Sequence, residues 1–476
     1  MGTLNDVVIN KLSGGLGRRN PSQDMVSGLL FDGVVTEKFE QDELYRLASL
    51  DDAEALGIDA SYDSNGQSAY YQIQQYFRMN PSGDLFIMGT TGNSYAEIVG
   101  KAKEMQVAAE GDIRQMAVIY SGTTEFDNAS ATLRALKASA VTGFSNLVIA
   151  TGDAGAQLDE DFFLAYETAE ATAGAEDPAG PATTLYNSVK AEVSVETIKT
   201  TENAILTAQT QAGEAYALYM PFEVLLEGKG FTVDDIDTMP NLDESGAENV
   251  SVVVAMDPEK AKLDGTNTEG SVDLTLPNYS NTAAVGVALG AVSRAKVSEN
   301  IAWVEKFNLA GEGFAKAGFV GAKKLATAGN AETLNSKRYV FAKKHVGFPG
   351  VYFNDSHTAT AGTSDFAYVE NNRTINKATR LLRSALVTKI ASPVLIDSNG
   401  RLPQVVTKDF ETLCRVALEG MVSNEEVSQF DVYVDPKQNI LATSELRIKA
   451  EIIPIGTARK IMVDLGFKNP FGIDKA

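Results

Sequence analysis

At 476 residues, with 44% apolar and 22% charged residues, the chain has ordinary globular composition and length for two to four domains. Its net charge of −22 argues against a nucleic-acid binder, whose electrostatic footprint is basic. A single cysteine excludes an internal disulfide, and with only two histidines there is no zinc site built from several His or Cys ligands.

The N-terminus lacks the basic and apolar regions of a signal peptide, and Asp6 stands where myristoylation needs Ser or Thr. The longest apolar run, Ala283–Val292, is too short to span a bilayer. A protein made in a reducing cytoplasm is the expectation. Val7–Asn10 is an apolar patch cut off by the Gly-rich, polar Lys11–Gln23, with little to pack against nearby. Two readings stay open: a frayed terminus, or a strand added to another subunit's sheet edge. Met25–Phe31 reads as a further strand.

From Asp84 the pattern becomes strand–helix–strand. Leu85–Met88, Met116–Tyr120 and Leu147–Ala150 are apolar runs about thirty residues apart, with helical spacing over Asn93–Ala109 and Asn128–Val141. That is the length of a βαβ unit and predicts a parallel sheet. About Glu160–Pro240 reads as mainly helical and inserted. Asn249–Ala255 is another strand, Asp257-Pro258-Glu259 a helix start, and Ser280–Lys306 a helix, continuous or broken, with Trp303 in the core.

In the last third, Asn372–Ile390 predicts an amphipathic helix with Ile375, Ala378, Leu382, Ala385 and Leu386 on one side. Arg373, Lys377 and Arg380 lie opposite, with Arg383 farther around, as a basic surface stripe. A second helix over Thr407–Met421 places Phe410, Leu413, Cys414, Ala417, Leu418 and Met421 on one face, with Cys414 as a buried thiol. Phe430–Val434 and Leu446–Ile452 alternate as half-buried strands, and Thr457–Phe467 supplies a third run with Ile461, Val463 and Leu465 on one side. Charge follows this division. Residues 331–476 carry 19 Lys+Arg against 16 Asp+Glu, a net of +3, whereas residues 1–330 carry 22 against 47, a net of −25.

Catalytic motifs are scarce. The loops at Gly89–Ser94, Ser121–Thr124 and Thr151–Gly155 contain neither G-x-G-x-x-G nor a phosphate-cradling loop with its lysine. G-x-S-x-G does not occur. Asp234, Asp235 and Asp237 lack the further ligands of a calcium loop.

The stretch Tyr368-Val-Glu-Asn-Asn-Arg-Thr-Ile375 opening a basic-faced helix, the following helix and hairpin, and the closing Ala458-Arg-Lys-Ile-Met-Val-Asp-Leu-Gly-Phe467 together resemble the C-terminal domain of contractile tail sheath proteins. The resemblance is best over Gly347–Pro470. It implies a multidomain α/β and α+β fold. The divisions are a linking arm (1–23), a strand-containing lead-in (24–64), an outer α/β domain with a mostly parallel sheet (65–330, helical insertion near 160–240), a helix–helix–β-hairpin sheath domain facing the tube (331–470) and a tail (471–476). It also implies a non-enzymatic subunit that polymerises as stacked rings around a tail tube and contracts to drive the tube through a target envelope. The implied partners are other copies of itself, the tail tube protein, and baseplate and tail terminator proteins. No nucleic acid, membrane insertion or cofactor is implied. The place is the virion tail of a phage or a related injection system, after assembly in the host bacterial cytoplasm. Arg373, Lys377, Arg380 and Arg383 would face the tube. Val7, Val8, Ile9, Lys460, Ile461, Met462 and Val463 would pair with strands of neighbours. A nucleotide- or sugar-using α/β enzyme is the reading from another class.

Overall fold

The computed structural model describes residues 24–65, 68–92, 94–121, 201–228, 236, 239–257, 282–312, 314–319 and 328–467. The chain divides into two compact units at Ser392/Pro393.

The first unit is built on a six-stranded sheet. Its strands are β1 (Val26–Asp32), β2 (Tyr45–Leu47), β3 (Asp84–Thr90), β4 (Gln115–Ile119), β5 (Glu223–Glu227) and β6 (Val250–Val253), in the order β2-β3-β1-β4-β5-β6. All neighbours are parallel except β2 against β3. The mostly parallel sheet expected from the sequence is present. Both faces are covered, which explains strands that read as continuous apolar runs. One face carries α1 (Leu50–Ala55) and α2 (Ala69–Met79), together with α6 (Val285–Arg294), around Leu29, Phe31, Leu85, Ile87 and Ala117. The other carries α3 (Tyr95–Val99), α4 (Ala102–Ala108) and a helix over 201–217, α5, around Leu30, Met116, Val118 and Val224. α2 and α6 cross closely because Gly286 and Gly290 lack side chains. A Cβ on Gly286 would lie 2.2 Å from the Gln72 carbonyl oxygen.

Both sheet edges are closed. β2 is three residues long and carries Arg46, paired with Asp84, which blunts it as a template. Outside β6, Val340 N donates to Val252 O (3.0 Å), and Ala359 N donates to Val250 O (2.7 Å). The rest of this unit consists of β7 (Ala255–Met256) with β8 (Gly318–Phe319), α7 (Ala328–Ser336), the hairpin β9 (Ala342–Lys343)–β10 (Tyr352–Phe353) and α8 (Val369–Leu386).

Several expectations change. The strand of the 24–64 segment, β1, sits inside the sheet, where Val26, Leu29, Leu30 and Phe31 are buried from both sides. The segment read as a helical insertion contains β5, whose apolar run Val224-Leu225-Leu226 is too short to stand out beside α5. Leu147–Ala150 and Asn128–Val141 lie outside the described residues, as does residue 258 onward of the expected helix start. The helix expected over Ser280–Lys306 ends at Arg294, and Trp303 is 47% exposed in a turn rather than core. The division at Ser392/Pro393 also leaves α8 packed with the first unit.

The second unit contains α9 (Gln404–Ser423), the hairpin strands β11 (Val427–Val434) and β12 (Ile448–Pro454), and α10 (Ile440–Thr443) between them. Val427, Val432 and Val434 are buried with Phe410, Cys414, Leu418 and Met421 of α9. The Glu411 carboxylate accepts from Val434 N (3.0 Å), satisfying a strand amide. Burial pushes the Cys414 thiol up, as expected of an inert core cysteine. The third run, Thr457–Phe467, forms no strand in this chain.

Candidate assembly interfaces

Three places decide between binding a ligand and binding another chain. The first is the sheet's C-terminal edge. Taken alone, the parallel strands follow the order β3-β1-β4-β5-β6, so the order reverses between β1 and β4, where doubly wound folds take a ligand. Here Asp32 closes that point. Its carboxylate accepts from Ser121 N (2.8 Å) and Ser121 Oγ (2.5 Å). At the end of β5, buried Glu227 accepts from Tyr120 N (3.2 Å) and Ala283 N (3.1 Å). Carboxylates that occupy the backbone donors repel phosphate instead of cradling it. Among the described residues no group of three or more His, Cys, Asp or Glu could hold a metal ion. Asp234, Asp235 and Asp237 lie outside them.

The second place is α8, where the expected surface stripe is corrected. Arg373 and Lys377 are buried, and the Arg380 side chain is only 11% exposed. Ile375 and Leu382, expected to lead into a core, are only half-buried. The polar side faces inward because the ground beneath it is polar. Arg373 donates to the carbonyls of Ala295 and Lys296 (3.2 Å each), capping the C-terminal end of α6, and to Asp24 O (3.3 Å). Lys377 (2.6 Å) and Arg380 (2.8 Å) share the Asp24 carboxylate. Asn376 Nδ2 (2.8 Å) and Asn249 Nδ2 (3.1 Å) donate to Glu223, whose pKa burial pushes up to about 8 against the lowering effect of those amides. Burial also pushes Arg380 down to about 9, with neighbouring Arg114 adding to the effect. Removing one partner of such a buried pair costs about 3–5 kcal/mol. Arg383 alone of the four stays exposed, 3.6 Å over the Tyr219 ring. Sequence reasoning missed Asp24 and Glu223. Asp24 fell unassigned between the polar Lys11–Gln23 and the Met25–Phe31 strand, and Glu223 lay inside the expected insertion.

The third place is the hairpin of the second unit. Among the described residues, no other strand pairs with the outer edge of β11 or β12. Downstream, 455–467 has no regular structure. It exposes Ile461 (81%), Val463 (78%), Leu465 (95%) and Phe467 (110%) at every second position, with Met462 (77%) also exposed between the first two. Lys460 and Met462 lie in the same stretch. Val7, Val8 and Ile9 fall outside the described residues. No helix among the described residues is long and apolar enough to cross a membrane.

Comparison with known proteins agrees with this architecture. No curated protein matches the chain by sequence. By structure it is similar to a chain of the anti-feeding prophage baseplate, with TM-score 0.54, 12% identity, and 98% of this chain and 100% of that one covered. It is also similar to the contracted helical sheath of the same prophage, with TM-score 0.52, 13% identity and coverages of 98% and 100%. A sheath tail protein of Desulfitobacterium hafniense matches with TM-score 0.41 and 10% identity, over 94% and 100%. The resemblance to contractile sheath proteins therefore holds at the level of the fold. Two family models cover nearly all of the sequence: the DUF2586 N-terminal domain over residues 4–357 and the DUF2586 C-terminal domain over residues 365–472. The second begins just before α8, although α8 packs with the first unit. The chain belongs to the DUF2586 family.

Proposed function

We propose that this protein is the structural subunit of a contractile tail sheath, polymerising around a tail tube and contracting to drive it through a target envelope. The observation that carries this reading is the pairing of a two-stranded hairpin, open at both outer edges among the described residues, with an exposed apolar segment at 461–467. The hairpin is supported on one side by α9, while its outer edges carry N–H and C=O groups that no described strand takes up. Each large apolar side chain left in water forgoes about 1.5–3 kcal/mol of burial. Strand addition between copies satisfies both needs, with Lys460, Ile461, Met462 and Val463 lying against a neighbour's hairpin and Val7, Val8 and Ile9 on the other side. A heterologous contact of this kind does not close on itself and builds a helix or ring stack. Flexible strand links keep subunits connected while their bodies move between extended and contracted states, without nucleotide.

In this reading the C-terminal third faces the tube, the acidic body faces outward, and tube contact on α8 falls to Arg383. Baseplate and terminator proteins take the ends of the polymer, in a phage tail or related injection system. Electron microscopy of the purified full chain tests the proposal. Tubes or ring stacks are expected, lost on deletion of 455–476. A stable monomer at high concentration, or tubes indifferent to that deletion, overturns it.

A further inference from the structure

Two surface patches of the first unit complement each other in charge and in shape of exposure. The first is the tip of the β9–β10 hairpin. From Tyr339 to Asn354 the sequence holds Lys343 and Lys344 and no acidic residue, within a chain of net charge −22. The tip displays Val346, 106% exposed, and Phe348, 52% exposed. It is held in shape. Phe348 N donates to His345 O (3.1 Å), Tyr352 OH donates to Pro349 O (2.7 Å), and the Phe348 and Tyr352 rings lie 6.0 Å apart. Gly350 has φ +113, and a Cβ there would lie 2.5 Å from the Tyr352 hydroxyl. Asn308 Oδ1 accepts from Val351 N (3.1 Å), tying the base of the hairpin to the body. A pre-formed apolar tip gives up little conformational entropy on docking.

The second patch is the loop after β1. Residues 34–59 contain eight Asp or Glu and two Lys or Arg, and all eight acids are exposed. Val34 and Val35 are 43% and 56% exposed among them. This loop too is fixed: Tyr62 OH accepts from Val34 N (2.8 Å), Thr36 Oγ1 donates to Leu56 O (2.5 Å), and Lys38 Nζ donates to Ala55 O (3.2 Å). Those bonds bring Val34–Glu37 beside the end of α1, where Glu54 stands.

We propose that the Lys343–Gly350 tip of one copy docks on the Val34–Glu37 and Glu54 surface of a second copy. Like patches repel, so a two-fold tip-to-tip contact is disfavoured, whereas unlike patches attract and fix register. Because the two patches are different surfaces, the contact is head-to-tail and repeats from copy to copy. The inference rests on the sheath reading for the partner being this same chain, and names one contact within that assembly besides the strand exchange.

The test uses the full chain with Val35→Cys and Val346→Cys together, treated with a short bis-maleimide. Cys414 is buried, so the two introduced thiols carry the reaction. A ladder of covalent dimers, trimers and higher species is expected. In that background Lys343→Glu with Lys344→Glu, or Glu37→Lys with Glu54→Lys, loses the ladder. All four reversals in one chain restore it, which a misfolded variant does not do. A ladder unchanged by the lysine reversals overturns the proposal, and so does a product that stops at dimer. Tubes without a ladder sink this contact and leave the sheath reading standing. A ladder without tubes does the reverse.

Discussion

The two units handle exposed backbone in opposite ways. The first closes its sheet: β2 is short and charged, β6 is bonded to Val340 and Ala359, and the polar side of α8 is turned inward, its cations onto Asp24 and Asn376 onto Glu223. The second leaves a two-stranded hairpin with both outer edges unpaired among the described residues, followed by a run of apolar side chains in water. A closed body resists aggregation and keeps its shape, whereas an open hairpin edge offers unpaired N–H and C=O groups as a template for another strand. The difference teaches that polar decoration along a helix is a poor guide to which side meets solvent. The most charged helix stripe is internal, and the apolar terminus is external.

The sharpest way to break this contrast is to remove 455–476. Polymer formation is expected to disappear, while the main thermal transition of the first unit stays in place, read by electron microscopy and calorimetry. A shifted main transition shows that the segment serves the fold instead. Next in size, Asp24→Asn strips two buried cations of their counter-charge and is expected to cost about 3–5 kcal/mol in urea unfolding. A cost below about 1 kcal/mol places that cluster with solvated surface pairs.

The pH dependence follows with a defined sign. The Glu223 carboxyl is raised from 4.5 to about 8 in the folded chain, so the folded state holds an extra proton between those values. Its contribution is complete below about 4.5 and is lost as pH rises toward 8, by at most about 1.4 kcal/mol per pH unit. Arg380, lowered from 12.5 to about 9, acts in the opposite sense only above about 9. Glu223→Gln is therefore expected to flatten the stability profile between pH 5 and 8, measured by urea midpoints across that range. An unaltered slope assigns it to other groups. The smallest effect is at Arg383→Ala, which removes an exposed contact with Tyr219 and is expected to change stability by about 0.5–1 kcal/mol. A several-fold loss of assembly in that variant with little loss of stability marks Arg383 as a contact residue.

The sequence by itself settled the elements whose period is long or strictly repeated. β3, β4, α8, α9 and the β11–β12 hairpin stand close to where periodicity put them, because 3.6- and 2-residue spacing is written locally. The order of helix, helix and hairpin pointed to a sheath-like fold that the structural comparison bears out. Tertiary structure alone decided which face of α8 is inside. Spacing placed Arg373, Lys377 and Arg380 on one side, but the direction of that side depends on Asp24, nearly 350 residues away, and on the carbonyls at the end of α6. It also decided that β1 sits within the sheet and that 460–463 pairs with no strand among the described residues. Strand pairing is set by backbone edges that come together only in the fold.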